Sequence, residues 1–437
     1  MAKNAGKYAP AAIVTGFFYL CTGFAIAAMS IVFATWLWAV ETPQRPNTRI
    51  AALALPTGAG ADWQQWDSFL TNAIKKLAQQ LRPEQQEQVS EVFLDARYQL
   101  VQTINSGVSD PVSQLFSDTW GRLSPILKQA VPGLSQQSAS QFTGFATAMD
   151  GIKSATDIGR QFGFFRITPD ALRGAARLLG TGDADPLAYT LNLDSDLRNL
   201  LGFSGSLPTP KPSPSLEQGR LRQLREKASA AVKSFLIRPA YAAAESDFDH
   251  LNEWVPDTAE VPDYLLEVQK LLTDTSDKVL TKSSLAPEHR QLYRQIVFAT
   301  GWQESCWRQF IKKGPKLAPV TSATGDVGMM QVNRITWRSL YDIKGLTGDI
   351  AYNTNAGAEI LHYYLTRFAI PKKENQQPGG NLARATYSAY NGGPGAVARY
   401  RGVRQSPTWK KVDDAFWQKF QAINGGQELA VKSCYSQ

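Results

Sequence analysis

From Pro10 to Val40 the chain carries no Asp, Glu, Lys or Arg, and Ile13, Val14, Phe17, Phe18, Leu20, Phe24, Ile26, Ile31, Val32, Phe33 and Leu37 make the run strongly apolar. A bilayer needs only about 20 such residues to be crossed by a helix. The run exceeds the roughly 7 to 15 apolar residues of a cleaved secretory signal, and Trp36 and Trp38 stand at one end, where an interfacial aromatic belt is placed. The expectation is an uncleaved single-pass anchor over 11–40, with 1–10 on the cytoplasmic side and a Pro-, Ala- and Thr-rich linker over 41–60. Lys3 and Lys7 before the run and Glu41, Arg45 and Arg49 after it give only a shallow positive-inside bias. Cys21, inside the run, reads as a lipid-facing or packing thiol.

Beyond the linker the chain is too long for one ordinary domain: it has 437 residues in all, against roughly 100 to 200 per domain. A hydrophobic fraction of 43% supports real cores. In Trp63, Trp66, Phe69, Leu70, Ile74 and Leu77 the apolar positions recur at three and four, the mark of an amphipathic helix. Val89, Val92, Phe93, Tyr98 and Leu100 mark a second, and similar patterns over 114–127, 142–162 and 169–179 are punctuated by prolines. These define a helical region over 61–205 of no assignable role. Leu207 to Ser215 alternates proline with small and polar residues, a composition that favours extended chain and cannot form a packed core. The expected linker is 206–247, and 248–437 forms a second folding unit. The fold class expected is mainly α throughout.

The net charge of +8 suits an anionic partner, but no basic run interleaved with aromatics, zinc-finger spacing or helix-turn-helix pattern is present, so nucleic acid is not expected. His250, His289 and His362 lack ligand spacing, and neither metal nor cofactor is expected.

Chemistry concentrates in the last third. Pro287 opens a helix whose stripe of Leu292, Ile296 and Ala299 runs to about Trp302, placing Glu304 at its C-terminal end beside the buried face. Apolar neighbours and the negative end of the helix dipole both disfavour ionisation, so the Glu304 pKa is expected to rise and the carboxyl to serve as an acid near neutral pH. Gly325 to Asn333 reads as a tight turn, and Gln331 offers both a donor and an acceptor. A helix over about 349–368 precedes another through Leu382, Ala385 and Ala389, which Asn391, Gly392, Gly393 and Pro394 terminate.

In this order, Glu304-Ser305, Gly328-Met329-Met330-Gln331 and Ala389-Tyr390-Asn391-Gly392-Gly393 make the stretch 291–401 resemble the family 1 soluble lytic transglycosylase domain, whose fold is similar to goose-type lysozyme. The resemblance implies that Glu304 is the single catalytic acid and base. It further implies that Ser305, Ser322, Gly328, Met330, Gln331, Tyr390 and Asn391 hold the sugar. Met329 stands where the family has leucine, a volume-conserving change, and the segment from Cys306 to Thr321, with Lys312, Lys313 and Lys316, is longer than usual.

The activity so implied is cleavage of the β-1,4 bond between N-acetylmuramic acid and N-acetylglucosamine in peptidoglycan strands, leaving 1,6-anhydromuramoyl ends. A lysozyme-like hydrolase using Asp326 as second carboxylate and a non-catalytic glycan-binding scaffold in an envelope complex are the alternatives. A peptidase built on Cys306 and His362 is a weak pairing. Cys306 and Cys434 either pair in an oxidising compartment or remain buried thiols. Because cell wall lies outside the cytoplasmic membrane, the catalytic part is expected on the periplasmic side.

Overall fold

Proline sets where many helices begin, because its missing N–H costs nothing in a first turn. The computed structural model describes residues 60–437 except 109, 163–165, 181–184, 204–206, 208–209, 211–247, 315, 403–405 and 436–437. Pro83, Pro111 and Pro169 each lie in the first turn of their helices, α2 (Pro83–Asn105), α3 (Pro111–Ala130) and α5 (Pro169–Leu178). The N-terminal neighbour α1 spans Gly60–Ala78, α4 spans Gln136–Phe162 and the short α6 spans Ser195–Leu200. Asp110, Thr168 and Asp194 cap α3, α5 and α6 by accepting a backbone N–H. The apolar run of the anchor lies outside the described residues; among those described, no helix is long and apolar enough to cross a membrane.

The periodic stripes meet as their spacing demands. Trp66 of α1 packs edge-on to Phe116 of α3, and Trp120 of α3 packs edge-on to Phe145 of α4. Trp66, Phe69, Ile74, Phe93, Phe116 and Trp120 are all buried.

The C-terminal part is built on α10 (Ile350–Tyr364), which is buried at most positions and packs against α7 (Val261–Thr281), α8 (Pro287–Ser305) and α11 (Leu382–Gly392). A short α9 (Ile343–Gly348) precedes it, and α12 (Pro407–Asn424) covers α8. Two small antiparallel hairpins interrupt the helices. The first pairs β1 (Phe310–Lys313) with β2 (Lys316–Pro319) and accounts for the long segment after Cys306. The second pairs β3 (Asp326–Val327) with β4 (Val332–Asn333) and frames the Gly328–Gln331 turn. α8 runs three residues beyond the Trp302 end expected from its stripe, so Glu304 and Ser305 belong to its last turn.

Residues from Gly58 onward form one compact unit. The helical region and the C-terminal helices share a buried ionic cluster in which Asp67 of α1 accepts from Arg97 of α2 at 2.9 Å and from Arg338 at 2.6 Å. These side chains are at most 2% exposed, so the cluster holds two guanidinium groups for one carboxylate. Further donors reach carbonyls and a hydroxyl: Arg97 donates to the carbonyls of Thr336 and Arg338, Arg338 to that of Thr190, and both to the hydroxyl of Thr71. The faces of Phe93 and Tyr189 lie 4.5 and 4.4 Å from the Arg97 and Arg338 guanidinium carbons, adding negative potential where a second carboxylate is missing. Phe203, at the end of the helical region, inserts among Trp337, Tyr341 and Tyr363.

Candidate active site

Glu304, in the last turn of α8, is partly exposed, and α8 packs against α11 and α12. Its Oε1 accepts a hydrogen bond of 2.8 Å from the hydroxyl of Tyr387. Tyr387 is itself fixed by a parallel stack on Phe416 of α12, ring centres 4.1 Å apart. Desolvation lifts the Glu304 carboxyl from an ordinary 4.5 to about 7; the Tyr387 bond opposes the rise, Asp326 adds to it, and Lys419 and Arg399 oppose it. Burial and the neighbouring Glu304 hold the Tyr387 phenol well above its usual range, so it remains a proton donor to the carboxylate.

Immediately after Ser305 the backbone turns sharply. Cys306 and Trp307 both have positive φ, 56° and 63°, a conformation that side chains with a Cβ rarely adopt. The surroundings force it. Cys306 is disulfide-bonded to Cys434, and its carbonyl accepts from the hydroxyl of Tyr435 at 2.9 Å. Trp307 is fully buried, its indole N–H bonds to the carbonyl of Phe298, and its own carbonyl accepts from Tyr264 at 2.8 Å. Consecutive left-handed residues held from several sides end α8 where Glu304 leaves it. The same disulfide removes Cys306 as a free nucleophile, and His362 lies instead against Ser283, its pKa lowered by burial to about 4.

The three sequence motifs converge on one short piece of backbone. The Ser305 hydroxyl donates to the carbonyl of Met329 at 2.7 Å, and the Tyr390 hydroxyl donates to the carbonyl of Met330 at 2.6 Å. On the other side, the buried amides of Gln309 and Asn353 accept from the N–H groups of Met329 and Met330. Gly328, at φ 76°, lets Asn353 approach so closely that a Cβ there would meet Asn353 Nδ2 at 2.3 Å. With these bonds the turn is braced along its whole length, and both amide side chains also donate to carbonyls, Gln309 to Leu346 and Asn353 to Val327.

The side chains expected to hold sugar also make bonds within the protein. Ser305 and Tyr390 bond to the protein's own carbonyls, and the Gln331 Nε2 donates to Gly328 and Val320. Met330 is fully buried, packed against Gly301 and Gly357. For Ser305, Tyr390 and Gln331 the physical reason is shared: the turn's polar backbone is buried, and these side chains satisfy it. Asn391 is partly exposed, with its Oδ1 accepting from Arg399 at 3.2 Å. Ser322 is partly exposed and donates to Asp326, whose carboxylate also accepts from Thr324 and from Asn333 at 2.8 Å.

The motifs do not point to Tyr387, Gln309 or Asn353. For Tyr387 a signal exists: it lies three residues before Tyr390 on α11, and hence on the neighbouring part of the same face. Gln309 and Asn353 have none, since a buried amide is recognisable only through its partners. Among the described residues no group of three His, Cys, Asp or Glu could hold a metal ion.

Comparison with known proteins adds one finding: residues 285–412 match the family model described as the transglycosylase SLT domain, enclosing all three motifs. No curated protein and no solved structure matches the chain. A half-buried glutamate of raised pKa, set beside a turn that the motifs brace, thus lies within the stretch that matches the transglycosylase SLT domain, a match consistent with the lysozyme-like SLT family of lytic transglycosylases.

Proposed function

We propose that the protein is a membrane-anchored peptidoglycan lytic transglycosylase in which Glu304 performs both proton transfers. The observation that carries this reading is the Glu304 carboxyl, raised to about 7 and bonded to Tyr387. Near neutral pH such a group is substantially protonated yet close to releasing its proton, which suits a residue that must be acid and then base. Glu304 donates its proton to the glycosidic oxygen as the bond from C1 of N-acetylmuramic acid breaks, and the muramoyl acetamido group supports the cation. The C6 hydroxyl oxygen then bonds to C1, and its proton passes to the Glu304 carboxylate. The product carries a 1,6-anhydro ring, and the enzyme is restored.

A hydrolase would need a second carboxylate free to act on water. Asp326 is the candidate, and its oxygens accept from Asn333 across its hairpin and from Ser322 and Thr324 just before it, which favours one-carboxylate chemistry. Substrate shape in this reading is set by the braced turn, with Asn391 and Ser322 at the cleft edge. The charge-free run over 11–40 and a disulfide, a bond that persists in oxidising compartments, support placement at the cytoplasmic membrane with the SLT domain outside. Incubation with purified sacculi followed by mass spectrometry tests the reaction. Anhydromuropeptides are expected, and reducing ends one water heavier would overturn the transglycosylase reading.

A further inference from the structure

The helical region has a specific hold on the third motif. Tyr98, buried on α2, donates its hydroxyl to the carbonyl of Tyr390 at 2.7 Å across 292 residues of chain. Three residues earlier on the same helix, Asp95 accepts the N–H of Gly395 at 2.8 Å. Between them sits Gly393 at φ 89°, where a Cβ would meet the Tyr98 ring at 2.9 Å and the Asp95 carboxylate at 3.2 Å. α2 therefore grips the segment 390–395 at both ends and closes on its glycine. From there the connection to Glu304 is short. Tyr390 bonds to the Met330 carbonyl, the adjacent Met329 carbonyl accepts from Ser305, and Ser305 neighbours Glu304.

We propose that Tyr98 and Asp95 are positioning residues for the SLT-domain reaction, acting through Tyr390 and Gly395, and that the helical region over 61–205 is a built-in part of the catalytic cleft. The proposal rests on the reading of Glu304 as the acid. It explains why Gly393 is a glycine, and why the carbonyl of Tyr390, in the last turn of α11, accepts from α2. One buried hydrogen bond to a carbonyl is enough to matter, since a small misplacement of a catalytic group lowers rate steeply.

The test uses the full chain purified in detergent, with Tyr98→Phe, Asp95→Ala and Asp95→Asn compared with wild type and Glu304→Gln. Tyr98→Phe removes one oxygen and keeps the ring on Gly393. It is expected to lower kcat for muropeptide release about five- to tenfold and to leave KM within about twofold. Amide hydrogen exchange should accelerate over 390–396 and stay unchanged in α7, which a general loss of stability would not spare. Asp95→Ala should behave likewise. Asp95→Asn, which keeps an acceptor for Gly395, should restore both readouts, and this pair decides the matter if Tyr98→Phe does not fold. Wild-type kcat together with wild-type exchange over 390–396 in Tyr98→Phe or Asp95→Ala would overturn the proposal. If wild type and Glu304→Gln release equal muropeptide, the functional reading fails, and exchange alone still shows whether α2 holds the motif.

Discussion

Replacing Glu304 by glutamine should stabilise the fold, and by an amount that depends on pH. The Glu304 carboxyl has a pKa raised from 4.5 to about 7 by folding, so its contribution to stability is fully present below 4.5 and is lost as pH rises through 7. A shift of that size corresponds to about 3 kcal/mol at 1.36 kcal/mol per unit, and the solvent-facing side of the carboxyl reduces it to about 2 kcal/mol. Glutamine carries no charge at any pH, so the variant escapes the penalty. With an unfolding entropy of roughly 2.1 cal/mol/K per residue over about 380 residues, the melting midpoint should rise by about 2 to 3 °C. The assay is calorimetry of wild type and Glu304→Gln at about pH 4.5 and about pH 8.5, taking the difference between the two proteins at each pH. The difference should be near zero or a constant offset in acid and should grow across the neutral range. A difference that does not change with pH, or that favours wild type as pH rises, would show that Glu304 is not held protonated by its surroundings. In the same preparations muropeptide release by the variant should fall by about two to four orders of magnitude, because glutamine cannot act as the proposed proton donor.

Three further outcomes are expected. Tyr387→Phe removes the donor that opposes the rise of the Glu304 pKa, so the alkaline limb of the pH–rate profile should move upward by about one unit while the maximal rate falls; an unmoved limb would count against Tyr387 as the electrostatic partner. Asp67→Ala leaves Arg97 and Arg338 buried without their shared carboxylate and should cost about 3 to 5 kcal/mol by denaturant titration, whereas a loss below about 1 kcal/mol would show that the carbonyls and rings suffice. Cys434→Ser opens a bond that spans 128 residues and should lower stability by about 2 to 5 kcal/mol, measurable as a shifted urea midpoint that reductant reproduces in wild type.

The parts of this molecule that can be read from its sequence are those written in neighbouring residues. Pro287 marks the start of α8, Asn391 to Pro394 mark the end of α11, and the motif order points to an acid at Glu304. Apolar spacing shows which face of α1 is buried, but it cannot say against what. Asp67 sits four residues after Trp63 on that same face, a charged residue in an apolar stripe. That position is a visible sign of a buried ion partner, although nothing nearby identifies Arg97 or Arg338. The direction of the motif side chains is equally hidden. A hydroxyl at Ser305 or Tyr390 suits a sugar and a buried carbonyl alike, and the bonds to the Gly328 turn are visible only in the packing. Tyr98 shows the limit most sharply, since its partner lies 292 residues away and its own surroundings read as an ordinary helix stripe.

The shared burial of Asp67, Arg97 and Arg338 has a consequence for where this protein can be divided. Chain connectivity and structural boundary do not coincide: the proline-rich segment looks like a hinge between modules, yet the two sides are mortised together. Cutting the backbone there should yield a nicked heterodimer that co-elutes and keeps its activity. A recombinant C-terminal half beginning after the prolines would instead present Arg338 stripped of its counter-ion, and Trp337, Tyr341 and Tyr363 stripped of Phe203, to water. The unit that an engineer should express is the helical region and the C-terminal helices together.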